Sequence, residues 1–333
     1  MNTQILPAHT PGLFQQAVLR AVELLRAGQV VALPTETVYG LAANALDEEA
    51  VAKIFEIKER PLHNPIIVHI VGLEMARRCV NDFPAMAERL AKSFWPGPLT
   101  LVLPCANVIP KIVTAGGETV GVRWPSHPLI QAVIRQCDFP LAAPSANLSN
   151  RISPTNATHV EKQLSGKIPA IVDGGQSGVG IESSVLDLTV VPPCILRPGM
   201  IHEESLAAAG MMVAAATSAG GVLKSPGQLE KHYSPRAKLI VLSWRDNDEL
   251  KSQLVMRRVS PASCHVIAHT HIPSAGSFAR VCVIPHDAEA FARAIYAELH
   301  RCDEANAQTI VVEAPPDGPD WAGICDRLRR AAV

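Results

Sequence analysis

The chain has 333 residues, of which 48% are hydrophobic and 18% charged, and its net charge is −1. Because single hydrophobic cores stop growing at roughly 250–300 residues, this length predicts two cores, and the composition excludes a largely disordered chain. Non-specific nucleic-acid binding usually leaves a basic excess, which the balance of 30 basic and 31 acidic side chains lacks.

Helix and strand signals alternate along residues 1–210. Thr10 can cap an opening helix that Gly28 ends, and Asp47 can cap a second helix that reaches Lys58. Further helices are predicted near 84–94, from a cap at Ser126 to 137, and near 158–164; strands are predicted at 30–33, 65–70, 99–103, 120–124, 141–143, 170–173, 184–188 and 195–197. This alternation predicts one α/β domain over residues 1–210.

A second, smaller domain is predicted after a linker. Residues 213–226 are rich in Ala, Gly and Ser, and we assign residues 211–236 to the linker. Residues 237–333 then alternate again, with strands at 239–242, 266–268, 281–284 and 309–313 and helices at 288–302 and 320–330. About 100 residues in this order are typical of a small three-layer α/β domain.

The cysteines and the first residues indicate a cytoplasmic location. The eight cysteines occur singly, without a CxxC pair, which argues against a zinc ribbon and against a disulfide framework. The first residues lack the charged and apolar regions of a signal peptide, and the sequence has no apolar run of 18 residues. We therefore expect a cytoplasmic protein that does not span a membrane.

The familiar nucleotide and hydrolase motifs are missing from the sequence. It has no GxxxxGK[ST], no GxGxxG after the first strand, no GxSxG and no HExxH. Any ATP chemistry must therefore use a different phosphate cradle.

Polar side chains stand where the strand at 30–33 leaves the predicted core. Thr35, Glu36, Thr37 and Tyr39 follow it directly. Buried hydroxyls and carboxylates are costly unless they are paired, so these groups either hydrogen-bond within a turn or line a cavity. Spacing alone favours the turn.

Further candidates lie at the ends of other predicted elements. His69 interrupts an apolar strand, where a satisfied core histidine is the commoner outcome, and Arg123 needs an anionic partner that is either a side chain or a bound carboxylate. Lys58 and Arg60 suit the dipole at a helix end, and with Asn64 they are also candidates for a triphosphate clamp.

Two loops and one histidine cluster are further candidates for ligand or metal binding. The loop 144–149 can present hydroxyls and amides to phosphate, although turn chemistry explains it equally well. The loop 173–184 contains four glycines, which allow a close backbone approach to a ligand. His265, His269 and His271 are not expected to hold a metal, because alternate positions on one short strand rarely close a tetrahedral site.

In this order, the segments resemble the YrdC-type threonylcarbamoyl-AMP synthases in their two-domain form. The matching segments are 34–41 (PTETVYGL), 58–61 (KERP), 64–69 (NPIIVH), 95–100 (WPGPLT), 121–123 (GVR), 144–149 (PSANLS), 173–184 and 196–199 (LRPG). The segment 225–235 (SPGQLEKHYSP) looks like the family's linker signature, which folds over the nucleotide. Departures are small: Gln228 where methionine is common, Asn150 where glycine is frequent, and Ser184 in place of threonine.

The resemblance implies a fold and a reaction. The fold is a twisted mixed α/β sheet around a large cavity, followed by a smaller Rossmann-like α/β domain. L-threonine, bicarbonate (or carbon dioxide) and ATP give threonylcarbamoyl-AMP and pyrophosphate, and the product feeds N6-threonylcarbamoyladenosine formation in tRNAs that read ANN codons. No covalent enzyme intermediate is required, so positioning and charge neutralisation can provide most of the catalysis.

The resemblance also implies the site residues. Threonine is expected to contact Thr35, His69, Arg123, the backbone of Ala143, and Ser183, with Arg123 on its carboxylate. ATP is expected to contact Lys58, Arg60, Asn64, Thr119, Ser145, Ser153, Arg197 and Tyr233, with Lys58 and Arg60 as the catalytic phosphate ligands. Magnesium is expected with ATP, and no prosthetic group.

The implied partners are small molecules, and two rival functions stay open. The adenylate is expected to pass to the tRNA threonylcarbamoyl-transfer machinery, without stable nucleic-acid binding by this chain. One rival is an RNA-binding or ribosome-associated protein that uses the same cavity, which the near-neutral charge disfavours. The other is a carbamoyl-transferring maturation enzyme that handles carbamoyl phosphate, whose zinc-finger cysteines are missing here.

Overall fold

The computed structural model describes residues 2–214, 223–227 and 232–332. The chain divides into two compact units, Met1–Ser149 with Ser153–Gln228, and Asn150–Ile152 with Leu229–Val333. Within the predicted linker over 211–236, residues 215–222 and 228–231 lie outside the described residues.

The first unit is built on a mixed sheet with helices around it. Its strands are β1 (Gln4–Pro7), β2 (Val31–Leu33), β3 (Gly40–Asn44), β4 (Val68–His69), β5 (Leu99–Pro104), β6 (Thr119–Arg123), β7 (Leu141–Ala142), β8 (Ala170–Asp173), β9 (Ser184–Asp187) and β10 (Cys194–Arg197). Its helices are α1 (Pro11–Arg26), α2 (Glu48–Lys58), α3 (Leu73–Cys79), α4 (Ala85–Phe94), α5 (Pro128–Cys137), α6 (Ala157–Leu164) and α7 (Glu203–Ala208). The strand order β1-β8-β2-β3-β7-β4-β6-β5-β9-β10 combines parallel and antiparallel pairs, which confirms the predicted mixed α/β fold.

Two of the predicted helix caps are confirmed, and a third is wrong. Thr10 Oγ1 accepts from the Leu13 amide at 3.3 Å, and Asp47 Oδ1 accepts from the Ala50 amide at 3.1 Å. The prediction that Ser126 caps α5 is wrong, because His127 holds the cap position and its Nδ1 accepts from the Leu129 amide at 3.2 Å. Pro128 occupies the first helical position, which fixes the helix start one residue later than predicted.

Two strands near the site differ from the prediction. The strand predicted over 65–70 is reduced to Val68–His69, because Pro65 has no amide hydrogen and the Ile66 amide donates to Val113 O at 2.8 Å. The strand β3 was not predicted, since its sequence GLAAN has low strand propensity. Gly40 is needed there for close packing, because a Cβ at that position would lie 3.2 Å from the Ala143 Cβ.

Strand pairing brings the polar strand ends of the first unit together. β4 and β6 are parallel neighbours with His69 paired to Arg123, and β7 pairs with the other side of β4. β5 runs antiparallel to β6 and parallel to β9, so the start of β9 lies near the end of β6. Because β10 is antiparallel to β9, Arg197 lies at the same edge of the sheet.

The second unit has a four-stranded parallel sheet, in agreement with the expected Rossmann-like domain. Its strands are β11 (Lys238–Leu242), β12 (Cys264–Ala268), β13 (Arg280–Val283) and β14 (Thr309–Glu313), in the order β11-β14-β12-β13. Its helices are α8 (Asn247–Met256), α9 (Ala288–Glu304) and α10 (Ala322–Ala331). Helix α8 was not predicted, because only Leu250 and Leu254 supply its buried apolar face.

The histidines that follow β12 contact a carboxylate of β14. Glu313 accepts from the amides of His269 at 2.7 Å and Thr270 at 2.9 Å, and from His271 Nδ1 at 2.8 Å. Across the described ranges, no group of three or more His, Cys, Asp or Glu side chains is arranged to hold a metal ion. None of the helices in the described part of the chain combines the length and the apolar character that crossing a membrane requires.

Candidate active site

In the turn after β2, the hydroxyls of Thr35 and Tyr39 have hydrogen-bond partners within the protein. Thr35 Oγ1 donates to Val38 O at 2.6 Å and accepts from the amides of Thr37 and Val38, each at 3.2 Å. The Ser177 hydroxyl donates to Thr35 O at 3.0 Å, and the Tyr39 hydroxyl donates to Gly175 O at 2.7 Å. The spacing-based interpretation as a turn therefore describes the Thr35 side chain and the Tyr39 side chain.

Two members of the same turn point to Arg123 instead. Arg123 Nη1 donates to Thr37 Oγ1 at 2.9 Å, and Arg123 Nη2 lies 2.7 Å from Glu36 Oε1. Arg123 Nε donates to Gly97 O at 3.2 Å, and the guanidinium group is buried. The anionic partner that the sequence required is thus Glu36, one of the two alternatives that the sequence left open.

His69 is a neutral, buried imidazole beside this ion pair. Burial is the largest cause that lowers its pKa to about 3, and the charge of Arg123 adds to the effect. His69 Nδ1 is buried and lacks an aligned hydrogen bond among the residues that the structure describes, while a contact with the Ile67 backbone slightly offsets the lowering of the pKa. Because the His69 ring is neutral and one of its buried nitrogen atoms lacks a hydrogen bond, the ring is a candidate contact for a bound polar ligand.

We expect this neutral ring to make stability depend on pH. The unfolded chain protonates His69 near its ordinary pKa of 6.5, whereas the folded protein resists protonation down to about 3. The stabilisation is therefore complete above pH 6.5 and is lost as the pH falls toward 3. Between pH 7.5 and pH 5, the free energy of unfolding should fall about 2 kcal/mol more in the wild type than in His69→Gln. Urea unfolding at both pH values measures this difference, and parallel pH profiles would contradict the assignment.

Ser183 and Arg197 form a second buried cluster at this edge. Arg197 Nε donates to Ser183 O at 3.1 Å, and Nη2 donates to Ser183 Oγ at 3.1 Å. Ser183 Oγ also lies 2.8 Å from Thr100 Oγ1 of β5, and all three side chains are buried. The predicted threonine residue Ser183 and the predicted ATP residue Arg197 are therefore direct neighbours.

The Lys58 side chain, at the end of α2, binds the loop 144–149. Its ammonium group donates to Ser145 O at 2.6 Å, to Asn147 O at 2.5 Å and to Asn147 Oδ1 at 3.3 Å. Burial, with a smaller contribution from Arg60, holds the pKa of Lys58 well below its ordinary value. All three oxygen atoms lie within hydrogen-bonding distance of Nζ, so Lys58 contacts the predicted phosphate loop directly.

Arg60 performs a similar task for the loop 60–65. Its Nε donates to Asn64 O at 3.0 Å and its Nη2 to Pro65 O at 2.7 Å. Asn64 is buried, and its Oδ1 has no hydrogen-bond partner within the described ranges. This second open polar atom lies in the segment that was predicted to bind ATP.

The remaining predicted residues occupy different surroundings. Ala143 follows β7 and donates its amide to Ile67 O at 3.2 Å, which places it beside the residue that precedes β4. Ser153 is buried and donates to Glu182 Oε1 at 2.5 Å. Thr119 begins β6 and so lies at the other end of that strand from Arg123. Tyr233 belongs to the second unit, where it is buried and Arg327 lies over its ring at 5.2 Å.

A cavity of about 370 Å³ lies elsewhere in the first unit. Its lining includes His9, Phe14, His127, Asp173 and Gly174, and none of the predicted threonine or ATP residues. The cluster of buried polar groups, with its unsatisfied atoms, is therefore the better candidate for chemistry than this cavity.

The sequence assigned no contact to several residues that the geometry makes important. Glu36 and Thr37 bind Arg123, Thr100 contacts Ser183, and Asn147 accepts from Lys58. The available signal was that Glu36 and Thr37 are polar and follow a buried strand. Thr100 gave no such signal, since a threonine suits a strand on propensity alone.

Comparison with known proteins identifies relatives over the whole chain. The family model Sua5_yciO_yrdC, described as telomere recombination, matches residues 23–199, and a model described as threonylcarbamoyl-AMP synthase, C-terminal domain, matches residues 201–333. The threonylcarbamoyl-AMP synthase of Pyrococcus abyssi is 39% identical over 319 residues, which are 94% of this chain and 93% of the relative. That of Bacillus subtilis is 39% identical over 323 residues, which are 95% and 92%.

Solved structures agree with these matches. The crystal structure of P. abyssi Sua5 complexed with L-threonine has a TM-score of 0.91 to this chain at 35% identity, and the alignment covers 100% of this chain and 98% of that one. A variant of the same P. abyssi protein has a TM-score of 0.90 at 36% identity, with 99% and 96% covered.

Proposed function

The chain belongs to the Sua5/YrdC family in its two-domain form, and from this membership we propose that it is an L-threonylcarbamoyladenylate synthase. It joins L-threonine, bicarbonate and ATP into threonylcarbamoyl-AMP and releases pyrophosphate, so it is a nucleotidyltransferase. The relatives of 39% identity carry the name threonylcarbamoyl-AMP synthase, and the P. abyssi protein was crystallised with L-threonine.

Arg123 and His69 lie side by side on neighbouring strands, and this alignment is the main support for the proposed site. Both side chains are buried, one a cation and the other a neutral imidazole with an open Nδ1 atom. An arginine fork suits a carboxylate, and an open ring nitrogen suits a polar group of the same small ligand. We therefore propose that Arg123 binds the threonine carboxylate and that His69, Thr35, Ala143 and Ser183 surround the amino acid.

The reaction needs positioning more than a nucleophilic side chain. The neutral threonine amine bonds to the carbon of carbon dioxide and releases a proton, or it bonds to the carbon of bicarbonate with loss of water. Either route gives a carbamate. A carbamate oxygen then bonds to the α-phosphorus of ATP while the bond to the bridging oxygen breaks, and pyrophosphate leaves. The negative charge at the phosphates requires cations and hydrogen-bond donors held in fixed positions. Arg60 and Lys58 are proposed to supply charge at the phosphates. Lys58 also holds the loop 144–149, in which Ser145 is a further proposed ATP contact.

The other proposed ATP contacts are Asn64, Thr119, Ser153, Arg197 and Tyr233. The open Oδ1 of Asn64 and the Arg197–Ser183 contact support the first and fourth of these. Magnesium is proposed to arrive as the complex with ATP, since Mg²⁺ in such sites is held largely by substrate phosphates.

A short linker segment, 223–227, is attached to the first unit. Lys224 Nζ lies 2.8 Å from Asp187 Oδ2 and 2.9 Å from Thr189 Oγ1, and Arg197 Nη1 donates to Pro226 O at 3.2 Å. The segment thus contacts a proposed ATP residue, which supports a role of the linker in covering the nucleotide.

We expect Lys224→Met to raise the KM for ATP by about 3–10-fold, because it removes one attachment of the segment while the buried residues stay in place. The KM for threonine should stay near the wild-type value. Steady-state pyrophosphate release with each substrate varied measures both constants. An unchanged KM for ATP would show that this attachment has no role in nucleotide binding.

Pyrophosphate release tests the proposed function itself. We expect release only when L-threonine, bicarbonate and ATP are all present, with little release when another amino acid replaces threonine. Release that is independent of threonine would contradict the proposal. Retention on RNA without ATP turnover would favour the RNA-binding rival instead.

The product is proposed to pass to the tRNA threonylcarbamoyl-transfer machinery in the cytoplasm, for N6-threonylcarbamoyladenosine formation in tRNAs that read ANN codons. The eight cysteines are all unpaired, which suits a reducing compartment. The near-neutral charge supports transfer of the small adenylate rather than stable binding of tRNA by this chain.

A further inference from the structure

The carboxylate of Glu36 has hydrogen-bonding capacity that its ion pair with Arg123 does not use. Glu36 Oε1 lies 2.7 Å from Arg123 Nη2, and the side chains are only 12% and 4% exposed. Nevertheless, both Glu36 oxygens and Arg123 Nη2 lack an aligned hydrogen bond to any described residue. The two groups are close enough for charge attraction but are not oriented for a hydrogen bond. Buried charged atoms without hydrogen bonds are costly, so such atoms indicate groups that form hydrogen bonds with a bound ligand.

The backbone around Glu36 holds this carboxylate in place. The Val179 amide donates to Glu36 O at 2.7 Å, and the Gly180 amide donates to Thr37 O at 3.1 Å. The Thr35 turn fixes the residue on the other side. The main chain of Glu36 is therefore fixed in the loop between β2 and β3, and from this position its carboxylate reaches Arg123.

The charges of the pair match those of a free α-amino acid. Such a molecule carries a carboxylate and an ammonium group on one carbon atom, so its receptor needs a cation and an anion a few ångströms apart. Arg123 alone would attract any small carboxylate, including acids without an amino group. A fixed carboxylate beside it repels those acids and attracts an ammonium group, which is selection by like-charge repulsion as well as by attraction.

Lys58 provides a contrast within the same unit. Its partners in the described part of the chain are carbonyl and amide oxygens, without a carboxylate among them. Of these two buried cations, Arg123 has a carboxylate beside it and Lys58 does not.

We propose that Glu36 is the receptor for the α-ammonium group of the substrate, so that Glu36 and Arg123 together select a zwitterionic amino acid. This inference rests on the proposed function, and it assigns to Glu36 a substrate contact that determines specificity. On binding, the ammonium group donates hydrogen bonds to the Glu36 carboxylate, and the substrate carboxylate accepts a hydrogen bond from Arg123 Nη2.

The test compares two ligands on the Glu36→Gln variant, which keeps the size of the side chain and removes its charge. Calorimetry measures the affinity for L-threonine and for 2,3-dihydroxybutanoate, in which a hydroxyl replaces the ammonium group. We expect the variant to bind L-threonine at least about 10-fold more weakly than the wild type does. The affinity for 2,3-dihydroxybutanoate should stay equal or increase, because the repelling charge has gone.

Each other outcome overturns the proposal. Equal losses for both ligands would make Glu36 only a support for Arg123, and unchanged or tighter threonine binding would make it only a counter-ion in the empty site. Glu36→Asp keeps the charge, so it should still prefer L-threonine to 2,3-dihydroxybutanoate. This variant provides the test if Glu36→Gln does not fold. Threonine-dependent pyrophosphate release by the wild type reports on the proposed function separately, so the two failures are distinguishable.

Discussion

Replacement of Arg123 by alanine should abolish nearly all threonine-dependent pyrophosphate release. The substitution removes the proposed carboxylate receptor, and we expect kcat/KM for threonine to fall by about 10²–10³-fold, the loss of a buried charge-assisted contact. The folded protein should also lose stability, because Glu36 keeps its buried carboxylate without the cation beside it. Leaving one partner of a buried ion pair alone costs about 3–5 kcal/mol. Urea unfolding and steady-state kinetics measure the two effects.

The double variant Arg123→Ala with Glu36→Gln separates stability from activity. Removal of the second charge should restore much of the free energy of unfolding, because no unpaired buried charge remains. Pyrophosphate release should stay as low as in Arg123→Ala. Recovery of activity together with stability would show that Arg123 only maintains the fold.

Replacement of Arg60 by alanine should reduce kcat/KM for ATP by about 10²–10³-fold, since the variant lacks a cation at the proposed phosphate clamp. The structure adds a second consequence, because Arg60 donates to the carbonyl oxygens of Asn64 and Pro65. The free energy of unfolding should therefore fall by about 1–3 kcal/mol, although the domain still folds.

The matched control is Arg77→Ala, a surface arginine whose side chain is 51% exposed and paired with Glu88. This variant should keep wild-type kinetics, because exposed ion pairs contribute about 0–1 kcal/mol. Pyrophosphate release by Arg60→Ala at the level of the control would contradict the clamp assignment.

The sequence predicted much of the fold because its helix starts are chemically explicit. Thr10 and Asp47 cap helices where they were expected to, since a short polar side chain before an apolar period has few other uses. At Ser126 the neighbouring Pro128 decided the start instead. The helices α3, α7 and α8 were not predicted, because each buries too few apolar side chains to give a clear period.

The backbone conformation explains how one small departure from the family pattern is tolerated. Asn150 stands where glycine is frequent, and its φ of 64° lies in the left-handed region that glycine adopts without strain. Asparagine tolerates this region better than most residues, so the turn is kept.

The site was predictable only in part, because hydrogen-bond partners are set by strand pairing rather than by spacing. The sequence identified Arg123 as a buried cation that needs an anion, but the choice between a side chain and a ligand required the loop after β2. Lys58 is predicted at the phosphates from the family resemblance, and the sequence did not predict that its side chain also binds the loop 144–149. A helix end that packs on a distant loop leaves no periodic signal in the sequence.

Mass spectrometry of the reaction with ¹³C-bicarbonate shows whether this chain makes threonylcarbamoyl-AMP. We predict one adenylate that contains threonine and one labelled carbon, together with an equal amount of pyrophosphate. The labelled product should be absent when threonine is omitted. Conversion of ATP to AMP or ADP without a threonine-linked, labelled adenylate would contradict the account.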